Sequence, residues 1–281
     1  METYGRSCCT DEDGNVFMTG WTRSAEGLGG AHQLTNHFVN YTDTCYEDGT
    51  FYSPCVDAFL VKFDSNGNRI WATYHGNSGF DVGESCATDA SGNVYMAGST
   101  TSSTGMATIG AFIDGNMGDI DAFLSKFNNM GQLLWSTYYG NTSADVGRSC
   151  AVGPDGTVFL AGSTYSELGF STNGALLPAN NGISDAFIAS FNSQGQRLWG
   201  TFYGGTNEDF GFECAAAPDG GVYLSGQTHA AGVIGGFDGD LFLGRWSSDP
   251  SRQSWWLGCL SGKVQCSGHQ GVGYILWWER R

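Results

Sequence analysis

Trp71, Trp135 and Trp199 stand 64 residues apart, and so do Asp57, Asp121 and Asp185, Gly76, Gly140 and Gly204, and Cys86, Cys150 and Cys214. A period held this strictly means one supersecondary unit copied in tandem. Such a unit cannot bury both of its own faces, so its copies must stack. The period constrains architecture far more than function, because repeat folds host unrelated activities. Gly is abundant, at 44 of 281 residues, but no G-x-y period accompanies it. That excludes collagen and assigns the glycines to turns.

The second copy shows what the unit contains. Residues 85–89 lead into Ala90-Ser91-Gly92-Asn93, a turn signature, and 94–100 follow as an alternating run of β-formers. This is a hairpin. A longer loop intervenes before 121–127, where Phe123, Ser125 and Phe127 share one face of a third strand. Asn128 to Gly131 turns the chain into a fourth strand over 134–139. No stretch shows helical periodicity. Four short antiparallel strands per unit, repeated, predict an all-β chain: a β-propeller of four-stranded blades, incomplete, with about four blades legible. A β-solenoid has shorter coils and lacks hairpins. Phe59, Phe123, Phe187 and the Trp71, Trp135, Trp199 series are the expected filling between blades.

These runs resemble a known repeat. D-A-F-L-V-K-F-D-S-N-G-N-R-I-W-A-T-Y at 57–74, D-V-G-E-S-C at 81–86 and G-N-V-Y-M-A-G-S-T at 92–100 are similar to the bacterial SBBP-type repeat, named for seven-bladed β-propellers. The likeness recurs in every copy and covers residues 5–245 apart from the long loops. It implies a secreted or surface-associated bacterial protein, in a class largely without assigned activity. The Cys of S-C-A-x-D departs from the pattern, which calls for an aliphatic residue there.

Aligning Gly5-Arg6-Ser7-Cys8 with Gly83-Glu84-Ser85-Cys86 places the start of the chain inside a repeat. The opening residues have no basic start and no apolar core, so they do not read as a signal peptide. From about Trp246 the repeat is lost. Read one base out of register from Gly258 onward, the genetic code permits D-A-F-L followed by W-G-T-Y-Y-G-G, the repeat itself, against Asp185 to Gly205. The expectation is therefore a partial propeller over 1–245 and a frameshifted remnant of the next repeat over 246–281. The chain then reads as a fragment of a longer secreted protein. No function is assigned to Trp255, Trp256, Cys259, Cys266, His269, Trp277 or Trp278.

The chain has nine cysteines and no C-x-x-C, which gives no support to a zinc knuckle. Cys8, Cys86, Cys150 and Cys214 are repeat-equivalent and read as small buried hydrophobes. Equivalent positions of neighbouring blades are too far apart for a disulfide. Cys9 has no evident partner. Cys45 and Cys55 bracket nine residues, 46–54, within an insertion confined to the first unit, and we expect them to form a local disulfide in an oxidising compartment. Asp64-Ser-Asn66-Gly-Asn68 and Asp11-Glu-Asp13-Gly-Asn15 resemble the start of a calcium loop but lack the downstream Glu. The same residues are the ones tight turns require. Asp81, Asp145 and Asp209 recur ahead of the Cys strand, which marks a structural turn or cap. His32 and His37 are five apart in the first insertion and read as solvated loop residues. No metal or cofactor is expected.

The formal net charge is −16. Such a surface repels phosphate backbones and anionic lipid, so nucleic-acid and membrane-inserting roles are excluded. No apolar run approaches the roughly 18 residues a spanning helix needs. G-x-S-x-G, H-E-x-x-H and phosphate-loop motifs are absent. The reading is a non-catalytic extracellular scaffold that binds protein or glycan through loops over 22–56, 101–120 and 165–184, expected to vary in length between units. The 22–56 insertion, rich in Tyr, His, Asn and Asp, is the expected recognition surface. The alternative is a propeller enzyme, a quinoprotein-like oxidoreductase or a lyase, with its active site outside or across this stretch.

Overall fold

The structure is a computed structural model that describes residues 2–23, 45–47, 50–52, 55–229 and 240–246. Each repeat folds as one antiparallel sheet. The first joins β1 (Thr3–Thr10), β2 (Val16–Thr22), β5 (Asp57–Phe63) and β6 (Arg69–His75) in that order. The second joins β7 (Asp81–Thr88), β8 (Val94–Thr100), β9 (Asp121–Phe127) and β10 (Leu133–Tyr139). The third joins β11 (Asp145–Val152), β12 (Val158–Thr164), β13 (Asp185–Phe191) and β14 (Arg197–Tyr203). In the fourth, β15 (Asp209–Ala216), β16 (Val222–Thr228) and β17 (Asp240–Trp246) pair. A small hairpin, β3 (Cys45–Glu47) with β4 (Thr50–Tyr52), lies in the first insertion. No helix occurs among the described residues. The all-β, blade-repeat architecture expected from the period is present, and the sheets follow one another without closing a ring.

The sheets also fix where a unit begins. The boundary falls after the Trp strand and before Asp81, so the G-x-S-C strand opens each blade. Gly5-Arg6-Ser7-Cys8 thus lies in the first strand of a complete sheet, not partway through one as the alignment implies.

Local chemistry explains the hairpins. Asp89 Oδ1 accepts from the N–H groups of Ser91 and Asn93, at 2.9 and 3.0 Å, and Gly92 supplies the φ of 73° that closes the turn. Asn128 and Asn192 make the same pair of bonds in the turns between the third and fourth strands of their blades. Each G-x-S-C strand carries a bulge at x, between Gly5 and Ser7, Gly83 and Ser85, Gly147 and Ser149, and Gly211 and Glu213. The bulge bends the strand and re-aims its residues.

The opening strand of each blade packs on the preceding blade: β7 on β1, β2 and β5, β11 on β7, β8 and β9, and β15 on β11, β12 and β13. One polar bond repeats at every junction. The Cys86 N–H donates to Ser7 Oγ at 3.4 Å, Cys150 to Ser85 at 3.2 Å, and Cys214 to Ser149 at 3.1 Å. The core is shared between blades. Phe17, Ala58, Leu60 and Trp71 of the first pack with Val94, Met96, Phe123, Phe127 and Tyr138 of the second. Each such aromatic or aliphatic side chain is worth roughly 1.5–3 kcal/mol on burial, so the junctions hold the array together. Trp71 and Trp135 also donate their indole N–H to Asn129 and Ser193 carbonyls of the next blade, both at 3.0 Å.

Candidate binding surface on the rim loops

Of the loops that follow the second strand, 22–56 is the longest, as expected from its insertion, whereas 101–120 and 165–184 repeat at the 64-residue interval in length and in their anchors. Each starts at a buried carboxylate. Asp81 accepts from Thr100 Oγ1, from Ser102 Oγ at 2.9 Å and from the Asn77 N–H at 2.9 Å. Asp145 accepts from Thr164 Oγ1 at 2.5 Å, Ser166 Oγ at 2.9 Å and the Asn141 N–H at 2.7 Å. Each loop then runs along the outer strand of its own blade. Thr108 N–H bonds Ser136 O at 3.0 Å and Ile113 N–H bonds Thr137 Oγ1 at 2.9 Å. Thr172 N–H bonds Gly200 O at 3.0 Å and Leu177 N–H bonds Thr201 Oγ1 at 3.2 Å. These bonds satisfy the edges of β10 and β14, which would otherwise offer open strand templates. Met106 and Phe170 plug equivalent buried positions. Asn116 and Asn180 close both loops by donating to Thr100 O and Thr164 O.

Most of the exposed apolar side chains do not repeat. Ile109 is fully exposed where the second loop has Asn173, and Met117 is exposed where it has Asn181. Leu168 is exposed where the first loop has Thr104, and Ile183 where it has Asp119. Phe112 and Leu176 are a half-exposed apolar pair, and Phe112 also lies 4.4 Å under the Arg197 guanidinium of the next blade. A shared backbone thus presents exposed apolar side chains at positions that differ from blade to blade. Exposed apolar groups gathered on ordered loops mark an interaction surface. Asp114, Asp119 and Glu167 belong to the same two loops.

Beneath the loops the carboxylates come in pairs. A Cβ placed on Gly76 would stand 2.6 Å from Asp57 Oδ1 and 2.7 Å from Asp81 Oδ2. Gly140 and Gly204 bring Asp121 to Asp145 and Asp185 to Asp209 in the same way. Burial pushes Asp81 up to about 6. Burial, with the neighbouring carboxylate adding to it, pushes Asp121 and Asp185 up to about 7. One oxygen of each of Asp121, Asp185 and Asp209 is buried without a hydrogen-bond partner. The first carboxylate of each pair opens the third strand. In the second and third blades it caps the end of the rim loop, accepting from Met117 N–H at 2.9 Å and Asn181 N–H at 3.1 Å.

The other residues singled out by sequence fall elsewhere. The Asp64 carboxylate is engaged by its own turn, accepting from Asn66 and Asn68 N–H at 2.9 and 2.8 Å. Burial opposes ionisation of Asp11, but Asn15 and the Lys62 ammonium, 3.3 Å away, hold it below the usual range. Among the described residues no group of three or more His, Cys, Asp or Glu could hold a metal ion, and no helix is long and apolar enough to cross a membrane. Phe59, Phe123 and Phe187 are buried at equivalent positions, Trp71 is buried, and Trp135 and Trp199 are half-buried against the core. Cys86 and Cys150 are buried, Cys214 is half-buried, and these three, with Cys8 and Cys9, are free thiols. Burial pushes the Cys214 thiol up to about 12, and hydrogen bonding to Cys86 pushes Cys9 up. Cys55 is disulfide-bonded. The Cys45 side chain, most of the 22–56 insertion with His32 and His37, and the 246–281 tail beyond Trp246 lie outside the described residues.

Two features escaped the sequence reading. Lys62 and Lys126 are buried, each 3.3 Å from a turn carboxylate (Asp11, Asp89) and 4.9 Å from an aromatic ring (Phe17, Tyr95). Their 64-residue spacing was the available signal. His75 Nε2 lies 2.7 Å from Ser125 Oγ, which is 2.7 Å from Ser136 Oγ. All three are buried, and this Ser–His contact forms part of the core of the second blade and its neighbour.

No family model matches the chain. It is 30% identical over 150 residues to the regulatory protein FlaEY of Caulobacter vibrioides, a match covering 50% of this chain and 15% of the relative. It is 24% identical over 241 residues to an uncharacterized WD repeat-containing protein of Acanthamoeba polyphaga mimivirus, covering 73% of this chain and 17% of the relative. The chain thus spans less than a fifth of either relative's length. With the repeated four-stranded sheets, the likeness to a WD repeat-containing protein supports a propeller-type repeat architecture.

Proposed function

We propose that the chain is a non-catalytic, extracellular scaffold of the bacterial SBBP-like type that engages a protein partner through its rim loops. One observation carries the reading: two loops share backbone anchors and burial yet present unlike exposed apolar side chains. Catalysis needs convergent polar groups in a cleft. Here the buried carboxylates and the Ser–His contact serve loops and core, and the exposed residues that differ most between the loops are apolar. The acidic net charge suits a partner with apolar anchors and a basic margin. The likeness to a WD repeat-containing protein and to a regulatory protein supports protein binding over carbohydrate.

The test is quantitative co-purification of the tagged chain from its native cells, beside a loop variant carrying Ile109→Asp, Met117→Asp, Leu168→Asp and Ile183→Asp. A control variant carries Met130→Asp, Leu134→Asp and Leu198→Asp, exposed apolar residues off the loops. The proposal requires partners lost with the loop variant and retained with the control. Equal retention by both sinks it. Protease digestion of intact cells checks the extracellular placement, which protection of the chain would contradict.

A further inference from the structure

Cys9 is a cysteine the repeat does not call for. The equivalent position carries Ala87, Ala151 and Ala215 in the other blades. Cys9 lies two residues beyond Ser7 on β1, with no bulge between them, so the two side chains share one face of the strand. Ser7 shows which way that face looks: its Oγ accepts the Cys86 N–H of β7 at 3.4 Å. On the other side of Cys9, Thr10 O accepts from Thr88 Oγ1 at 2.8 Å. Two bonds between the first and second blades therefore bracket Cys9, and Cα atoms of β1 and β7 approach within 8 Å of one another. Cys86 reaches the same place. Its Sγ donates to Phe17 O at 3.8 Å, and Phe17 is the cross-strand neighbour of Cys9. Cys9 packs against the cluster that holds Phe17 and Cys86, and the Cys9 and Cys86 thiols hydrogen-bond to each other. The next junction repeats the arrangement with Ala87 against Cys150, where only one sulfur is present.

We propose that Cys9 and Cys86 are a disulfide-forming pair that staples β1 to the second blade when the chain meets a disulfide oxidant. In the structure both are thiols. They are not repeat-equivalent, so the separation that keeps Cys8, Cys86, Cys150 and Cys214 apart does not apply to them. The exchange balances with a low-molecular-weight disulfide such as oxidised glutathione. Cys9, the half-buried partner, attacks it and releases one glutathione thiol; Cys86 attacks the resulting mixed disulfide and releases the second. One S–S bond forms in the chain, one breaks in the oxidant, and two protons and two electrons pass to glutathione. The thiolate is the attacking form. The hydrogen bond to Cys86, with burial, pushes the Cys9 thiol up, so the exchange is slow once the blades have docked and runs while the chain folds. The staple closes a loop longer than a blade and so removes freedom from the unfolded chain.

The test is refolding of the whole chain in a buffer of oxidised and reduced glutathione. Remaining thiols are then blocked, and peptides are mapped by mass spectrometry without reduction. The expected product is a linked pair of peptides carrying Cys9 and Cys86, lighter by two hydrogens than its parts. Cys9→Ala installs the residue of the other blades. It keeps the circular dichroism of the wild type and leaves Cys86 open to alkylation on denaturation. Cys8→Ala, on the opposite face of β1, retains the linkage. After oxidative refolding the wild-type chain melts roughly 5–10 °C above Cys9→Ala, and in reductant the two coincide. Recovery of Cys9 and Cys86 as thiols overturns the proposal. So does linkage of either to any other cysteine. In the cell the bond relies on the oxidising setting of the proposed extracellular placement. The test supplies its own oxidant, and protease digestion of intact cells judges the placement, so the two fail separately.

Discussion

Adding one methyl group at Gly76 should cost several kilocalories through the carboxylates beside it. In Gly76→Ala the new Cβ meets Asp57 Oδ1 at 2.6 Å and Asp81 Oδ2 at 2.7 Å, distances real Cβ atoms do not tolerate. Gly76 is not among the positive-φ glycines, so the backbone itself accepts alanine and the cost is steric. Moving Asp81 Oδ2 weakens its bonds from Asn77 N–H and Ser102 Oγ, both 2.9 Å. Overpacking of this kind costs about 1–3 kcal/mol, and each weakened bond to a charged group about 1.5–3 kcal/mol when lost outright. Partial relaxation leaves an expected loss of about 3–5 kcal/mol. The comparison is Gly67→Ala, where φ is 83° and nothing lies within 4 Å of the new Cβ. That change costs only the left-handed backbone penalty, about 1–2 kcal/mol. Urea titrations followed by tryptophan fluorescence compare the two midpoints at equal slope. Because Ser102 opens the first rim loop, Gly76→Ala also speeds amide exchange over 101–120. If Gly76→Ala costs no more than Gly67→Ala, the carboxylate pair is not the rigid support described.

Other expectations follow from the same packing. Asp81, Asp121 and Asp185 have folded pKa values raised by burial to about 6, 7 and 7. The folded chain therefore binds more protons than the unfolded one between pH 4 and 7, and stability falls as pH rises through that window. The melting temperature is higher at pH 5 than at pH 8, and Asp121→Asn flattens the dependence; a curve rising toward pH 8 contradicts the sign. Lys126→Met leaves the Asp89 carboxylate beside Tyr95 without its cation, 3.3 Å away in the native chain. Chemical denaturation should show a loss of about 2–4 kcal/mol, tempered by the Asn93 bonds Asp89 keeps. Trp135→Phe removes the indole bond to Ser193 O and part of the ring packed against the core and Tyr95, and should cost about 1–3 kcal/mol, measured the same way.

Strands were legible because their signal is local. Asp57, Asp121 and Asp185 each begin a third strand, as the 64-residue interval and the alternation of Phe123, Ser125 and Phe127 predict. The turn residues at 89–93 and 128–132 declared their chemistry in the same way. The rim loops were less legible, since their order comes from partners distant in sequence. Thr108 answers to Ser136, and Asn141 Nδ2 donates to Leu168 O at 3.0 Å. Low hydrophobic periodicity over 101–120 reads as a variable loop, although equal spacing of Asn116 and Asn180 hinted at the shared anchors. The recurring Asp81 and Asp145 could be placed at a turn from spacing alone, but not beside Asp57 and Asp121. Only folding brings each pair to one glycine. Lys62 and Lys126 drew no reading from the sequence, because only the sheets bring them to Phe17 and Tyr95.

The central claim is that an ordered, repeated backbone displays unlike loop side chains. Hydrogen exchange with peptide-level mass spectrometry tests it most directly. The account predicts that the amides of Thr108, Ile113, Asn116, Thr172, Leu177 and Asn180, all bonded in the structure, are protected, and to the same degree in both loops. Exchange across 101–120 and 165–184 at the rate of an unstructured chain would contradict it.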